Sequence, residues 1–162
     1  MTDRMKESVF SAIGDVEGLF VLDLYAGSGA LGLEALSRGA AKAIFIESAR
    51  EAIVRLEENI DATGFNDRAE VVWAEVTAII SKDAQERVDL IFVDPPYSTT
   101  PPRVLADLEA LVTSGFLADD GRIVLHRPAK ERPQQPFGLQ CVWEREYGQS
   151  AVYMYMHEEE DG

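Results

Sequence analysis

One feature constrains this chain most: a glycine loop between an apolar strand and a helix, in a sequence that keeps alternating those two kinds of segment. Leu19-Phe20-Val21-Leu22-Asp23-Leu24 is an apolar run of strand length. Gly27-Ser28-Gly29-Ala30-Leu31-Gly32 follows in the G-x-G-x-x-G pattern and opens a helix ending near Gly39. Glycines there permit a tight turn and let a ligand approach bare backbone. Strands alternating with helices imply an α/β fold, a mostly parallel sheet covered on both faces. Ligands of such sheets sit beyond the carboxyl ends of the strands, where strand order reverses.

The alternation runs through the whole chain. Met5, Val9, Phe10 and Ile13 repeat at helical spacing over residues 3–13, with Thr2 or Asp3 placed to cap. Ala43-Ile44-Phe45-Ile46 reads as a second strand ending on Glu47. Ser48 and Glu51 then form a capping box for a helix with Ile53, Leu56 and Ile60 inward, stopped by Gly64. Glu70 to Trp73 is a third strand, and Val76 to Ile80 a short helix. Val88 to Val93 is a fourth strand running straight into Asp94-Pro95-Pro96-Tyr97. Thr100-Pro101 starts a helix with Leu105, Leu108, Leu111 and Val112 on one face, and Gly121 to Leu125 is a fifth strand. Leu139 to Tyr147 and Ala151 to Met156 close the chain as an antiparallel hairpin about Gly148-Gln149-Ser150. No repeat or linker interrupts the pattern. The expectation is one domain over residues 1–157, with residues 1–14 its first helix and 158–162 an acidic tail.

Glu47 lies 20 residues beyond Gly27, at the end of the second strand, where a carboxylate can accept from both hydroxyls of a ribose. Loop and acid together indicate an adenosine-containing cofactor, and a nicotinamide dinucleotide fits nearly as well. Asp23 helps to choose. A carboxylate inside an apolar strand is costly unless paired. Near a cofactor it could receive a cationic amino-acid end, directly or through water; alternatively it ties down the loop by accepting from backbone amides.

The Asp94-Pro95-Pro96-Tyr97 segment is the most specific signal. An exocyclic base amine is a poor nucleophile because its lone pair is delocalised into the ring. Two acceptors, the Asp94 carboxylate and the Pro95 carbonyl, can hold its hydrogens so that the lone pair points at a sulfonium methyl. Pro95 and Pro96 stiffen the loop in advance, and Tyr97 can stack on a flipped base. The plainer alternative is a strand-terminating turn, since Asp-Pro commonly begins turns.

These residues carry a resemblance. Asp23 through Gly39 resembles the first motif of the bacterial small-subunit ribosomal RNA guanine-N2 methyltransferases, the RsmD type. Thr2 to Phe10 resembles the family's helix ahead of the catalytic domain. Asp94-Pro95-Pro96-Tyr97 is similar to its catalytic motif, and Glu146-Tyr147-Gly148 to its last hairpin. The resemblance implies a Rossmann-like, seven-stranded class I methyltransferase fold with S-adenosylmethionine as donor. It also implies work on a guanine amine of ribosomal RNA, within a partly assembled small subunit, while Met1 to Lys6 shows no apolar stretch like a signal peptide's, so the expected setting is cytoplasmic. On this reading the catalytic candidates are Asp94, Pro95, Pro96 and Tyr97. The cofactor candidates are Asp23, Tyr25, Ala26, Gly27, Ser28, Gly29, Leu31, Gly32, Glu47, Ser48, Glu75 and Val76. The family carries a basic hairpin ahead of the segment matching Thr2 to Phe10, which this sequence does not include. Its Asn or Asp followed by Ala after strand three is Glu75-Val76 here.

Composition limits the alternatives. With 15 basic and 29 acidic residues the net charge is −14, against a protein that grips naked nucleic acid by its whole surface. Docking on a ribosomal particle softens that objection. A single cysteine, Cys141, and two distant histidines, His126 and His157, leave little for a metal site. No apolar run approaches membrane-spanning length. Arg4 and Lys6 could touch phosphate, and Arg103, Arg127 and Lys130 could form a modest basic rim. Trp73 and Trp143 read as core or sheet residues, and His126 as a satisfied structural histidine. An adenine-N6 methyltransferase, a nicotinamide-dependent oxidoreductase and a non-catalytic cofactor-binding domain remain as competing readings.

Overall fold

The computed structural model describes residues 1–159, so of the acidic tail Glu160, Asp161 and Gly162 lie outside the described residues. Seven strands make one mixed sheet in the order β3-β2-β1-β4-β5-β7-β6. The chain divides into two compact units, Met1–Val76 and Thr77–Gly162.

In the first unit, α1 (Asp3–Ile13) begins where Thr2 Oγ1 accepts the Met5 N–H at 3.2 Å, and it buries Met5, Val9, Phe10 and Ile13. β1 (Phe20–Leu24), β2 (Lys42–Glu47) and β3 (Ala69–Trp73) pair in parallel, so Asp23 sits opposite Phe45 and Glu47 opposite Trp73. Between them run α2 (Ala30–Ser37) and α3 (Arg50–Thr63). The α3 face Ile53, Leu56 and Ile60 is buried, and Gly64 ends the helix in the left-handed region at φ 75°. The expected capping box does not form. Ala49 is the N-cap, and the Glu47 carboxylate, not Ser48, accepts the Ala49 N–H at 2.7 Å. A carboxylate just ahead of a helix gives the N-cap amide an acceptor and carries charge suited to the helix dipole.

α4 (Val76–Ile80) leads into the second unit. There β4 (Val88–Val93) precedes α5 (Pro101–Thr113), which buries Val104, Asp107, Leu108 and Leu111. The inward stripe is thus turned from the expected one: Leu105 and Val112 are only half-buried. β5 runs Leu117–Pro128, longer than the sequence suggests at both ends. Its start is absorbed by a shift in the β4–β5 register after Val88↔Leu117, so Ala118-Asp119-Asp120 does not break the strand. At its far end Arg127 and Pro128 pair with Ala151 and Ser150, which hold them in the sheet. β6 (Leu139–Tyr147) and β7 (Ser150–His157) form the antiparallel hairpin. Tyr147 pairs Ser150 across a two-residue turn with Gly148 at φ 59°, the glycine-first pattern of a tight hairpin. Among the described residues no helix is long and apolar enough to cross a membrane.

Candidate functional site

In the first unit the glycine loop is held by main-chain hydrogen bonds. Asp23 is buried and its Oδ2 accepts the Gly32 N–H at 3.0 Å, anchoring the first turn of α2. The backbone-anchoring alternative for Asp23 therefore describes at least one of its oxygens. Gly32 must lack a side chain: a Cβ there would lie 2.3 Å from Phe45 Cε1. Gly29 is needed twice over, at φ 86° and with Leu56 Cδ1 2.3 Å from where its Cβ would be. Tyr25, at φ 58°, is the one non-glycine residue with a positive φ among the described residues. Such backbone is costly for a bulky side chain and gathers at ligand loops.

Glu47 reaches back to this loop. Its Oε1 accepts the Gly27 N–H at 2.8 Å while Oε2 takes the Ala49 N–H, so two backbone donors fix the carboxylate plane. Each carboxylate oxygen has a second lone pair, which a vicinal diol can use. Around it, Asn59 Nδ2 donates to the Ser28 carbonyl and Trp73 Nε1 to the Ser48 carbonyl, both at 2.9 Å. The Trp73 ring is 63% exposed, so this sheet residue is a surface, not a core, side chain. The other cofactor candidates divide. Tyr25, Ala26 and Gly27 are half-buried, Ser28, Ser48 and Glu75 are exposed, and Leu31 and Val76 are in the core.

In the second unit the Asp94–Tyr97 loop is held by side chains. Arg127 is 1% exposed and spans the loop: Nη1 donates to the Pro96 carbonyl at 3.1 Å and Nη2 to the Thr99 carbonyl at 2.7 Å. Its Nε and Nη2 also grip the Glu131 carboxylate at 2.8 and 2.6 Å, balancing the buried charge. Arg127 is therefore a structural clamp and not part of a basic rim: burial and five-donor geometry commit it to the loop. The Pro96 carbonyl also accepts the Thr99 N–H at 2.9 Å, closing the turn. Tyr97 is half-exposed, with its hydroxyl 2.7 Å from Ser150 Oγ and 3.2 Å from His126 Nε2. His126 Nδ1 lies 2.9 Å from Asp94 Oδ1. His126 is satisfied, as its sequence suggests, but its partners are the two candidate catalytic side chains. Of the remaining cations, Arg103 is 3.9 Å from buried Asp107, and Lys6 lies near Asp3 and Glu34. Among the described residues no group of His, Cys, Asp and Glu gathers to hold a metal ion.

In the first unit the structure brings Gly27 together with Glu47, and Gly32 together with Asp23. Sequence reasoning missed Asn59, Arg127 as a clamp, and Ser150. Nothing local marks Ser150, whereas an arginine two positions past an apolar strand core, beside a proline-rich loop, was the available signal for Arg127.

The chain is similar to proteins already known. The family described as "Conserved hypothetical protein 95" matches residues 1–156. The "Ribosomal RNA small subunit methyltransferase D" of Escherichia coli (strain K12) is 34% identical over 161 residues, covering 97% of this chain and 78% of that one. A solved structure described as a conserved hypothetical protein of Streptococcus pyogenes superposes with TM-score 0.86 at 33% identity, over 94% of this chain and 95% of that one. In fold alone, the ribosomal protein L11 methylase of Lactobacillus delbrueckii matches with TM-score 0.73 at 18% identity, over 96% of this chain and 78% of that one. The match of the family model to residues 1–156, the seven-stranded sheet and this near-complete coverage place the chain in the conserved-hypothetical-95 family, the RsmD family of RNA methyltransferases.

Proposed function

We propose that this chain methylates the exocyclic N2 amine of a guanine in small-subunit ribosomal RNA, on a partly assembled subunit in the cytoplasm. What supports this most is the Asp94–Tyr97 loop, pinned by Arg127 and His126 at the carboxyl end of β4. Asp94 and the Pro95 carbonyl accept the two amine hydrogens, which turns the nitrogen lone pair out of the base plane. Tyr97 stacks on the base, an interaction of about 1–3 kcal/mol. Because the loop is held before substrate arrives, orientation costs little when the reaction occurs. Asp94 then takes the proton that the amine nitrogen sheds.

The first unit fits S-adenosylmethionine. Glu47 is oriented for a ribose, a Cβ at Gly27 would meet nothing within 4 Å, and the strained Tyr25 backbone sits in the same loop. When bound, the cofactor supplies an electrophilic sulfonium methyl and leaves as S-adenosylhomocysteine. Glu47 would hold the ribose hydroxyls, Asp23 the amino-acid end, and Glu75 the adenine amine through its longer arm.

Calorimetric titration with S-adenosylmethionine, S-adenosylhomocysteine and NAD is the first test. Binding of the first two without NAD supports the assignment, and binding of NAD alone overturns it. Incubation with small ribosomal subunits and nucleoside mass spectrometry then separates N2-methylguanine from N6-methyladenine. Asp94→Ala should lower the methylation rate by on the order of 10²–10⁴-fold with cofactor affinity within a few-fold. An active Asp94→Ala enzyme would sink the acceptor model.

A further inference from the structure

We propose that His126, carried by β5, is a positioning residue for the acceptor loop: one imidazole couples the carboxylate that orders the amine to the ring that holds the base. This rests on the reading of Asp94 and Tyr97 given above.

With an ionised carboxylate and a neutral imidazole, the hydrogen bonds can run in one direction only. An ionised carboxylate can only accept, so at 2.9 Å from Asp94 Oδ1 the His126 Nδ1 must carry the proton. In a neutral ring Nε2 is then an acceptor, and the Tyr97 hydroxyl 3.2 Å away donates to it. The Tyr97 oxygen, its own proton spent, accepts from Ser150 Oγ at 2.7 Å. The result is one chain, Ser150 to Tyr97 to His126 to Asp94, drawn from β7, the loop, β5 and the loop again.

Its burial and one further contact make His126 a support and not a bystander. Its side chain is 9% exposed, and it stands edge-on to Tyr97 with ring centroids 5.7 Å apart at 67°. The Tyr97 ring is thus fixed by this T-shaped ring contact and at its tip by two hydrogen bonds, while about half of the residue stays exposed. With Oδ1 engaged by His126, Asp94 offers Oδ2 to the amine. Changing the imidazole therefore disturbs both substrate-facing groups together, which no contact of Arg127 with the loop carbonyls would do.

The test has two arms. The chain holds two histidines, so ¹⁵N spectra of the full chain at pH 8, with His157→Gln for assignment, read the His126 tautomer directly. The expected state is neutral with the proton on Nδ1, and Tyr97→Phe should shift the Nε2 signal. A ring protonated on Nε2, or on both nitrogens, overturns the proposal. In the second arm, His126→Asn keeps a donor near the Nδ1 position, and His126→Phe keeps a ring without one. The rate kcat should fall roughly tenfold for the first and on the order of 100-fold for the second, with cofactor Kd within about twofold for both. Equal kcat for the two variants counts against the proposal. The tautomer reading requires neither cofactor nor RNA, so a correct tautomer in a chain that methylates nothing counts against the function assignment alone. It also stands if His126→Phe fails to fold.

Discussion

The loop of residues 24–32 and the loop of residues 94–100 are held in opposite ways. The first is fixed by backbone amides that donate to two acidic side chains, Asp23 to Gly32 and Glu47 to Gly27, across short sequence distances. The second is fixed by side chains of distant strands: His126 on Asp94, Arg127 on Pro96 and Thr99, and Ser150 on Tyr97. Backbone donors exist at every position, so the first loop needs mainly small residues and two acids in the right places, with Asn59 also donating to the Ser28 carbonyl. Side-chain donors must be brought from elsewhere, so the second loop depends on how β5 and β7 pair. A loop held by amides can present a constant cradle, whereas a loop held by exchangeable side chains can be retuned without altering its own sequence.

The comparison predicts where each loop breaks. The largest effect on stability should come from Arg127→Met. It leaves the Glu131 carboxylate, 18% exposed, without its partner and the Pro96 and Thr99 carbonyls without a donor. Losing one side of a buried pair costs about 3–5 kcal/mol, to be read by urea denaturation. Arg127→Lys should recover only part, since an ammonium cannot reproduce the fork. If Arg127→Met unfolds at the wild-type midpoint, the clamp is not what holds this loop.

Next comes Glu47→Gln, which replaces one acceptor with an amide nitrogen opposite the Gly27 or Ala49 N–H. Cofactor affinity should weaken by about 1–3 kcal/mol by calorimetry, the scale of a charge-assisted hydrogen bond. Unchanged affinity would place the ribose elsewhere. Gly32→Ala should lower stability by about 1–3 kcal/mol through overpacking, and Phe45→Leu in the same chain should restore part of it. Additive losses in the double variant would show that the clash is not the cause.

The smallest effect concerns the acid side of stability. Burial pushes the Glu34 carboxyl up, but hydrogen bonds from Ser37 and Arg38 and the charges of Lys6 and Arg38 outweigh it and hold it below the usual carboxylate value. A group so depressed contributes stability above its unfolded pKa, and that contribution is lost as pH falls through the folded one. Glu34→Gln should therefore cost about 0.5 kcal/mol at neutral pH and nothing in acid, since the group is near the surface. A loss that persists at low pH would mean packing and not charge.

Most strands and helices of this chain are legible from residues a few positions apart. The inward faces of α1 and α3, the strands β4 and β6 and the Gly64 stop follow from hydrophobic period and turn chemistry. The failures have one physical origin. Ser48 looks like a cap, yet the helix starts one residue later with Ala49 as its N-cap, and Glu47, already aimed at Gly27, accepts the Ala49 N–H. Arg127 looks like a surface cation, yet pairing of β5 with β7 turns it inward. Leu105 and Val112 satisfy a helical stripe, yet the face that packs inward includes Asp107.

The sequence by itself determined the alternating α/β plan, the glycine loop with an acid at the end of the next strand, and the identity of the Asp94–Tyr97 loop, because each is written in nearby residues with a local stereochemical reason. Only the tertiary structure decided what holds that loop. His126, Arg127 and Ser150 lie 28 to 53 residues from their partners in that loop, and no local propensity encodes a contact that exists only once β5 and β7 lie side by side.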